Sequence, residues 1–319
     1  MSTTGVFFIP SNPNASTALA TITERLHTAL ADNPIPIGRW ALEHKLMRDT
    51  PSCLPASASQ HRPQHPRYLQ FLSLSYSPHH GFIYTSQPDA TNPTSTANTP
   101  TPTPSAPTPT PTPHPQHPHH PDPTKGALLP VMTTLPLPST STLFSHFVYA
   151  CQPFWCHRHT VAVPGGTVYD VGDFRVRIGD VRQTQPTARV RGTVVEIEWR
   201  GPSIVSTVVA RTSPSTPGGS MKEEGAGDGL VTAEDIQDSD VEAEYRACAA
   251  LIREFWAKLG VEGAREAILV PGVGTEVVGR LQRWRKGSVA VSGVSEEDPD
   301  PEAGVDVARQ FMEIFRFNR

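Results

Sequence analysis

Phe174-Arg-Val-Arg-Ile-Gly-Asp-Val181, followed by Gly192-Thr-Val-Val-Glu-Ile-Glu-Trp199, is the pair of runs that decides the fold of this chain. In the first, Phe174, Val176 and Ile178 fall on one side and Arg175 and Arg177 on the other. In the second, Val195, Ile197 and Trp199 oppose Val194, Glu196, Glu198 and Arg200. Side chains of an extended strand alternate with a period of two, so both runs read as half-buried strands. Gly201-Pro202 ends the second run and another strand begins over 204–210. Upstream, Pro164-Gly165-Gly166-Thr167 separates two apolar runs, and glycine's tolerance of positive backbone angles predicts a tight hairpin there. Short strands with turns about every eight to twelve residues across 155–209 describe an antiparallel meander, open or closed into a barrel.

The flanking sequence supplies more strands and several helices. A strand over 5–9 is ended by Pro10, and a helix from about Ser16 places Leu19, Ile22, Leu26 and Ala29 or Leu30 on one face. The run 37–47 sets Trp40, Leu42, His44 and Leu46 against Ala41, Glu43, Lys45 and Met47. A polar, proline-marked loop over 49–66 precedes a hairpin of 68–76 and 81–85, joined by Ser77-Pro-His-His80. The apolar run 142–150 reads as a strand. Ser239-Asp-Val-Glu242 has the form of a capping box, opening a helix whose Val241, Tyr245, Cys248, Ile252, Phe255 and Leu259 make one stripe, with Gly260 as the stop. A strand over 267–270, a short basic helix over 276–284 and a final amphipathic helix carrying Val307, Phe311, Ile314 and Phe315 complete the reading.

The fold class is therefore α+β, mostly an antiparallel β-barrel with flanking amphipathic helices and disordered insertions. One barrel domain covers 1–319. It is interrupted by a disordered Thr/Pro/His-rich insertion over 87–138, a disordered loop over 213–235 and a flexible linker over 288–303 before the C-terminal helix. The 34 prolines among 319 residues and a hydrophobic share of 37% agree with such tracts. The net charge of −4 gives no electrostatic footprint for direct nucleic-acid or anionic-membrane contact. Cys53, Cys151, Cys156 and Cys248 follow no repeated spacing, which favours a reducing compartment. The apolar run of the N-terminus stops at Pro10, short of a signal-peptide core, and no stretch is long enough to span a membrane.

His114, His117, His119 and His120 lie in the proline tract, where no fixed ligand geometry is expected. Cys151, Cys156, His157 and His159 match no paired zinc-ligand spacing. Glu196-Ile-Glu198-Trp-Arg200 is the sharper candidate. Two carboxylates and a cation on one strand face are what a tunnel-shaped barrel uses to hold a divalent cation and a triphosphate. That alternative makes the chain a metal-dependent phosphohydrolase acting through Glu196 and Glu198. The other reading of the same residues is a solvated charged face with cross-strand pairs to Arg175 and Arg177. Arg280, Arg283, Arg285 and Lys286 around Trp284 read as a solvated helix end, and Gly272-Val-Gly274 lacks the rest of a nucleotide fingerprint. No catalytic, cofactor or metal residue is assigned.

Several stretches together resemble one known family. Gly5-Val-Phe-Phe-Ile-Pro-Ser-Asn-Pro-Asn14, Gly38-Arg-Trp-Ala-Leu-Glu-His-Lys-Leu46, Trp155-Cys-His-Arg-His-Thr160, Gly172-Asp-Phe-Arg-Val-Arg-Ile-Gly-Asp-Val181 and Gly192-Thr-Val-Val-Glu-Ile-Glu-Trp199 are similar to fungal Mediator subunit 20, the TBP-related-factor-proximal family. The resemblance implies a non-enzymatic, nuclear subunit of the Mediator coactivator that helps relay activator signals to RNA polymerase II. It implies a place in the head module and a β-barrel with helices, shaped like the triphosphatase tunnel barrels. As partners it implies the related barrel of subunit 18 and a tethering helix of subunit 8, with no catalytic residues and no cofactor.

Overall fold

Alternating apolar side chains along nine strands build a single sheet, which the computed structural model describes together with its helices over residues 3–11, 16–54, 66–86, 131–203, 236–285 and 303–316. The strands are β1 (Thr3–Pro10), β2 (Ile35–Asp49), β3 (Tyr68–Leu74), β4 (His80–Ser86), β5 (Val131–Pro136), β6 (Trp155–Val171), β7 (Phe174–Gln185), β8 (Arg189–Trp199) and β9 (Arg265–Ala267). Their order is β5-β4-β3-β2-β6-β7-β8-β1-β9 and every pairing is antiparallel. With β5 and β9 at its two edges, the sheet is open. The deciding runs pair as their alternation requires, with Val176 opposite Ile197 and Arg177 opposite Glu196.

The helices are α1 (Leu19–Thr28), α2 (Thr50–Cys53), α3 (Leu137–Tyr149), α4 (Asp238–Leu259), α5 (Thr275–Arg285) and α6 (Val305–Ile314). On one face of the sheet, Val6, Phe8, Trp40, Leu72, Phe82 and Val194 pack against Val307, Phe311 and Met312 of α6 and the adjoining Phe315. On the other face, Phe7, Val176, Val195 and Ile197 pack against Ile22 and Leu26 of α1 and Ile252 and Phe255 of α4. Phe7 and Phe8 thus serve opposite faces, as the period of two demands. Helix α6 touches β3 and β4 from one end of the strand order and β1 and β9 from the other. The sheet must therefore curl around α6 without closing on itself. Fully burying each of Phe8, Phe82, Phe311 and Phe315 contributes roughly 1.5–3 kcal/mol, which makes this helix a major anchor of the curl.

Several sequence expectations change. The tight hairpin at 164–167 does not form: β6 runs through Pro164, Gly165 and Gly166 as one strand. Its ladder to β7 steps from Ala162 to Thr167, and its ladder to β2 shifts between Trp40 and Leu42, so the strand bulges instead of turning. Neither glycine has a positive φ. Gly166 is needed for close approach, since a Cβ there would lie 2.1 Å from Nε1 of Trp40, whose indole donates to the Ile178 carbonyl at 3.1 Å.

The run 142–150, read as a strand, lies mainly in helix α3. Leu143, Phe144, Phe147 and Val148 recur at helical spacing and cover Met47, Leu69, Phe71 and Ile83. Residues 131–136, placed in the disordered insertion, form β5, and 137–138 open α3; the remainder of 87–138 lies outside the described residues. The same holds for the strand at 204–210, for the loop 213–235, and for 288–302 of the linker. The cap of α4 is Gln237 with Asp240, two residues before the expected box. The Gln237 N–H donates to Asp240 Oδ2 at 2.8 Å, and Gly260 at φ 60° ends the helix as expected. Of the strand expected over 267–270, only Ala267 lies in a strand, the last residue of the three-residue β9.

Candidate functional site

The polar centre of the curled sheet is built where β7 and β8 lie side by side. Because Arg177 and Glu196 are directly opposite in register, the Arg177 NH1 group donates to Glu196 Oε1 at 2.6 Å and lies 2.8 Å from Glu198 Oε2. Tyr76, just beyond β3, reaches across to donate its hydroxyl to Glu196 Oε2 at 2.7 Å, and the Arg177 guanidinium stacks over the Tyr76 ring at 4.3 Å. Glu196 is only 1% exposed. Its two oxygens are each taken, one by the guanidinium and one by the phenol.

Electrostatics follow from this enclosure. Burial pushes the Glu196 carboxyl up, with Arg177 and the Tyr76 hydrogen bond pulling the other way. Burial likewise raises the Tyr76 phenol, and Glu196 adds to it. Burial disfavours the Arg177 cation, yet Glu196, Tyr76 and Glu198 together hold it above its usual range. Of the cross-strand pairs foreseen from sequence, Arg177 with Glu196 and Glu198 forms and is enclosed by the curl, whereas Arg175 pairs with Asp170 on the part-exposed side. Arg200, expected beside the two glutamates, instead lies 3.3 Å from Asp170 Oδ1, which Arg175 also binds at 3.0 Å. An acidic tunnel needs carboxylates turned towards a cation, whereas both Glu196 oxygens are bonded, one to Arg177 and one to Tyr76, and Glu198 Oε2 also faces Arg177.

A histidine group lies beside the C-terminal end of α6. His44 Nε2 is 3.0 Å from Gln70 Oε1, and its ring centroid is 5.5 Å from Phe315 and 6.2 Å from His159. Burial, with His159 second, lowers the His44 pKa to about 3, and burial with Arg191 lowers His159 to about 4. Both rings therefore stay neutral in the folded protein at pH 7. Of the expected cysteine and histidine cluster, His157 bonds Thr160 at 3.0 Å and meets the Phe144 ring edge-on, while Cys156 lies 3.3 Å from the Thr50 hydroxyl. Among the described residues, no group of three or more His, Cys, Asp and Glu is placed to hold a metal ion.

Gly272 and Gly274 both have positive φ, and their role is structural. The Gly274 N–H donates to Asp306 Oδ2 at 3.0 Å, and Tyr245 donates its hydroxyl to the same oxygen at 2.7 Å, tying the first turn of α6 to α4. Beside this tie lies a groove of about 460 Å³, lined by Val241, Tyr245, Val270, Pro271, Val273 and Val278 among others. Its wall is mainly apolar. The side chains of Arg280, Arg283 and Arg285, and the whole of Lys286, lie outside the described residues. Sequence reading missed the Tyr76 and Asp306 contacts because each joins segments far apart in the chain, and no local spacing signals them.

Among the described residues no helix is long and apolar enough to cross a membrane. Comparison with curated proteins gives no match. Among solved structures, the PH1819 protein from Pyrococcus horikoshii OT3 is similar over 82% of this chain and 93% of that one, at 10% identity and a TM-score of 0.32, a likeness on which nothing further rests. Residues 1–316 match the family model described as TATA-binding related factor (TRF) of subunit 20 of Mediator complex. The matched span takes in every strand and helix of the curled sheet, and the chain belongs to the Mediator subunit 20 family.

Proposed function

We propose that this Mediator subunit serves transcription as a non-catalytic interaction scaffold in the head module, inside the nucleus, alongside the other Mediator subunits. Its partners in this reading are the related barrel of subunit 18 and a helix of subunit 8. The reading is carried by one observation. The space that a tunnel-type hydrolase keeps open for substrate and metal is filled here by Phe311, Met312 and Phe315 against Trp40, Phe8 and Phe82. The acidic pair that such a tunnel would use is bonded to Arg177 and Tyr76. Support also comes from β5 and β9, which edge the sheet among the described residues, because exposed strand edges favour coverage by another chain.

The test is reconstitution. The full chain is co-expressed with subunits 18 and 8 of the same Mediator and passed over a size-exclusion column. One peak containing all three in equal amounts is expected. Elution of this chain as a folded monomer, apart from the other two, contradicts the partner assignment. The phosphohydrolase alternative has its own check: divalent-cation-dependent phosphate release from a triphosphate by the purified chain, lost in Glu196→Gln, would restore it.

A further inference from the structure

Cys53 ends the single turn α2, and Cys156 is the second residue of β6, opposite Arg48 of β2. Thr50 stitches the two segments together. Its N–H donates to the Phe154 carbonyl at 2.9 Å, its hydroxyl donates to the Gln152 carbonyl at 2.9 Å, and its Oγ1 lies 3.3 Å from Cys156 Sγ. Cys53 lies three residues on in the same turn, which brings its side chain to the side of the Thr50 hydroxyl that meets Cys156, close enough for the two thiols to interact electrostatically. Both thiols are half-buried, within reach of a small reagent, whereas Cys248 is buried in α4. Cys151 is also half-buried, but it belongs to the preceding turn, where its carbonyl accepts the N–H groups of Phe154 and Trp155 at 2.9 Å.

We propose that Cys53 and Cys156 form an oxidisable dithiol, a modification site at which hydrogen peroxide closes a disulfide between the turn after β2 and the start of β6. One thiolate attacks the peroxide O–O bond, becomes a sulfenic acid and releases the other oxygen as water. The second thiol then attacks the sulfenic sulfur, the S–S bond forms, and the hydroxyl leaves as a second water. Two thiols lose two electrons and two protons, and the peroxide is reduced to two waters. Burial pushes the Cys53 thiol up and Cys156 adds to this, while Arg158 and Arg48 pull the other way, so oxidation quickens as pH rises above neutral.

The bridge would close a loop over residues 53–156 that contains β3, β4, β5 and α3. A cross-link across so long a loop restricts the unfolded chain strongly, so the oxidised protein is the more heat-stable form.

The full-length protein, freed of reductant, is treated with hydrogen peroxide, alkylated, digested and mapped by mass spectrometry. Two of its four thiols are expected to disappear together, with a linked Cys53 to Cys156 peptide and a raised melting temperature that dithiothreitol reverses. Cys151→Ser leaves that result unchanged. Cys53→Ser yields a sulfenic acid at Cys156, captured by dimedone, and no intramolecular bridge. A linkage through Cys151, a linkage between molecules, an unchanged melting temperature on linkage, or thiols that stay fully alkylatable overturns the assignment.

Discussion

Among single residues, Arg177 and Glu196 form the enclosed polar centre of the curl. A buried ion pair is weak evidence of stability in itself, because desolvating two charges offsets much of their attraction. Breaking it from one side is costly. Arg177→Met leaves Glu196 enclosed with only the Tyr76 hydroxyl, and a loss of about 3–5 kcal/mol in urea unfolding is expected. The double variant Arg177→Met, Glu196→Leu removes the stranded charge and is expected to recover most of that loss. If the pair instead served a reaction, the double variant would unfold like wild type but lose an activity.

The histidines give a pH signature of known sign. His44 and His159 titrate at about 3 and about 4 in the folded protein against an ordinary value of 6.5. The unfolded chain therefore takes up protons first. Stability is fully present above about pH 6.5 and falls as pH drops towards 4, by up to about 1.4 kcal/mol per pH unit for each ring. Glu196 and Asp306, whose carboxyls are raised, work in the opposite direction, so the slope is read by difference. Urea midpoints measured from pH 7 to pH 4 should fall less steeply in His44→Leu than in wild type; parallel slopes would show that His44 does not titrate as described.

At the scale of elements, α6 makes an open sheet behave as a filled shell. Phe311 is completely buried and touches Trp40 at 6.1 Å and Phe315 at 5.9 Å between ring centroids. Phe311→Ala is expected to cost about 3–5 kcal/mol in chemical denaturation, the usual loss for a large aromatic in a core. A cost under about 1 kcal/mol would mean that the helix does not plug the curl.

This helix was legible from sequence, because Val307, Phe311, Ile314 and Phe315 keep a strict helical spacing. So were β7, β8 and the long stripe of α4, where period and chain order agree. The bulge at Gly165 and Gly166 was not, because a double glycine looks alike whether it turns the chain or admits an indole, and Trp40 is more than a hundred residues away in sequence. The strand reading of 142–150 failed for a related reason. A short apolar run fits either period, and Pro138, in the first turn of the helix, lies outside it.

At the scale of the whole molecule, the sequence carried the sharpest functional signal in its ensemble of ordinary motifs, and the family match over residues 1–316 agrees with it. The chemical candidate, Glu-x-Glu on β8, was visible from sequence as well. Its fate was not, since Tyr76 reaches it only through tertiary structure. Membership of Mediator is measured most directly by affinity purification of the tagged full-length chain from nuclei, with its companions quantified by mass spectrometry. Mediator subunits in near-equal amounts with the chain are the expected result. Recovery of the folded chain alone, or with proteins outside Mediator, would contradict it.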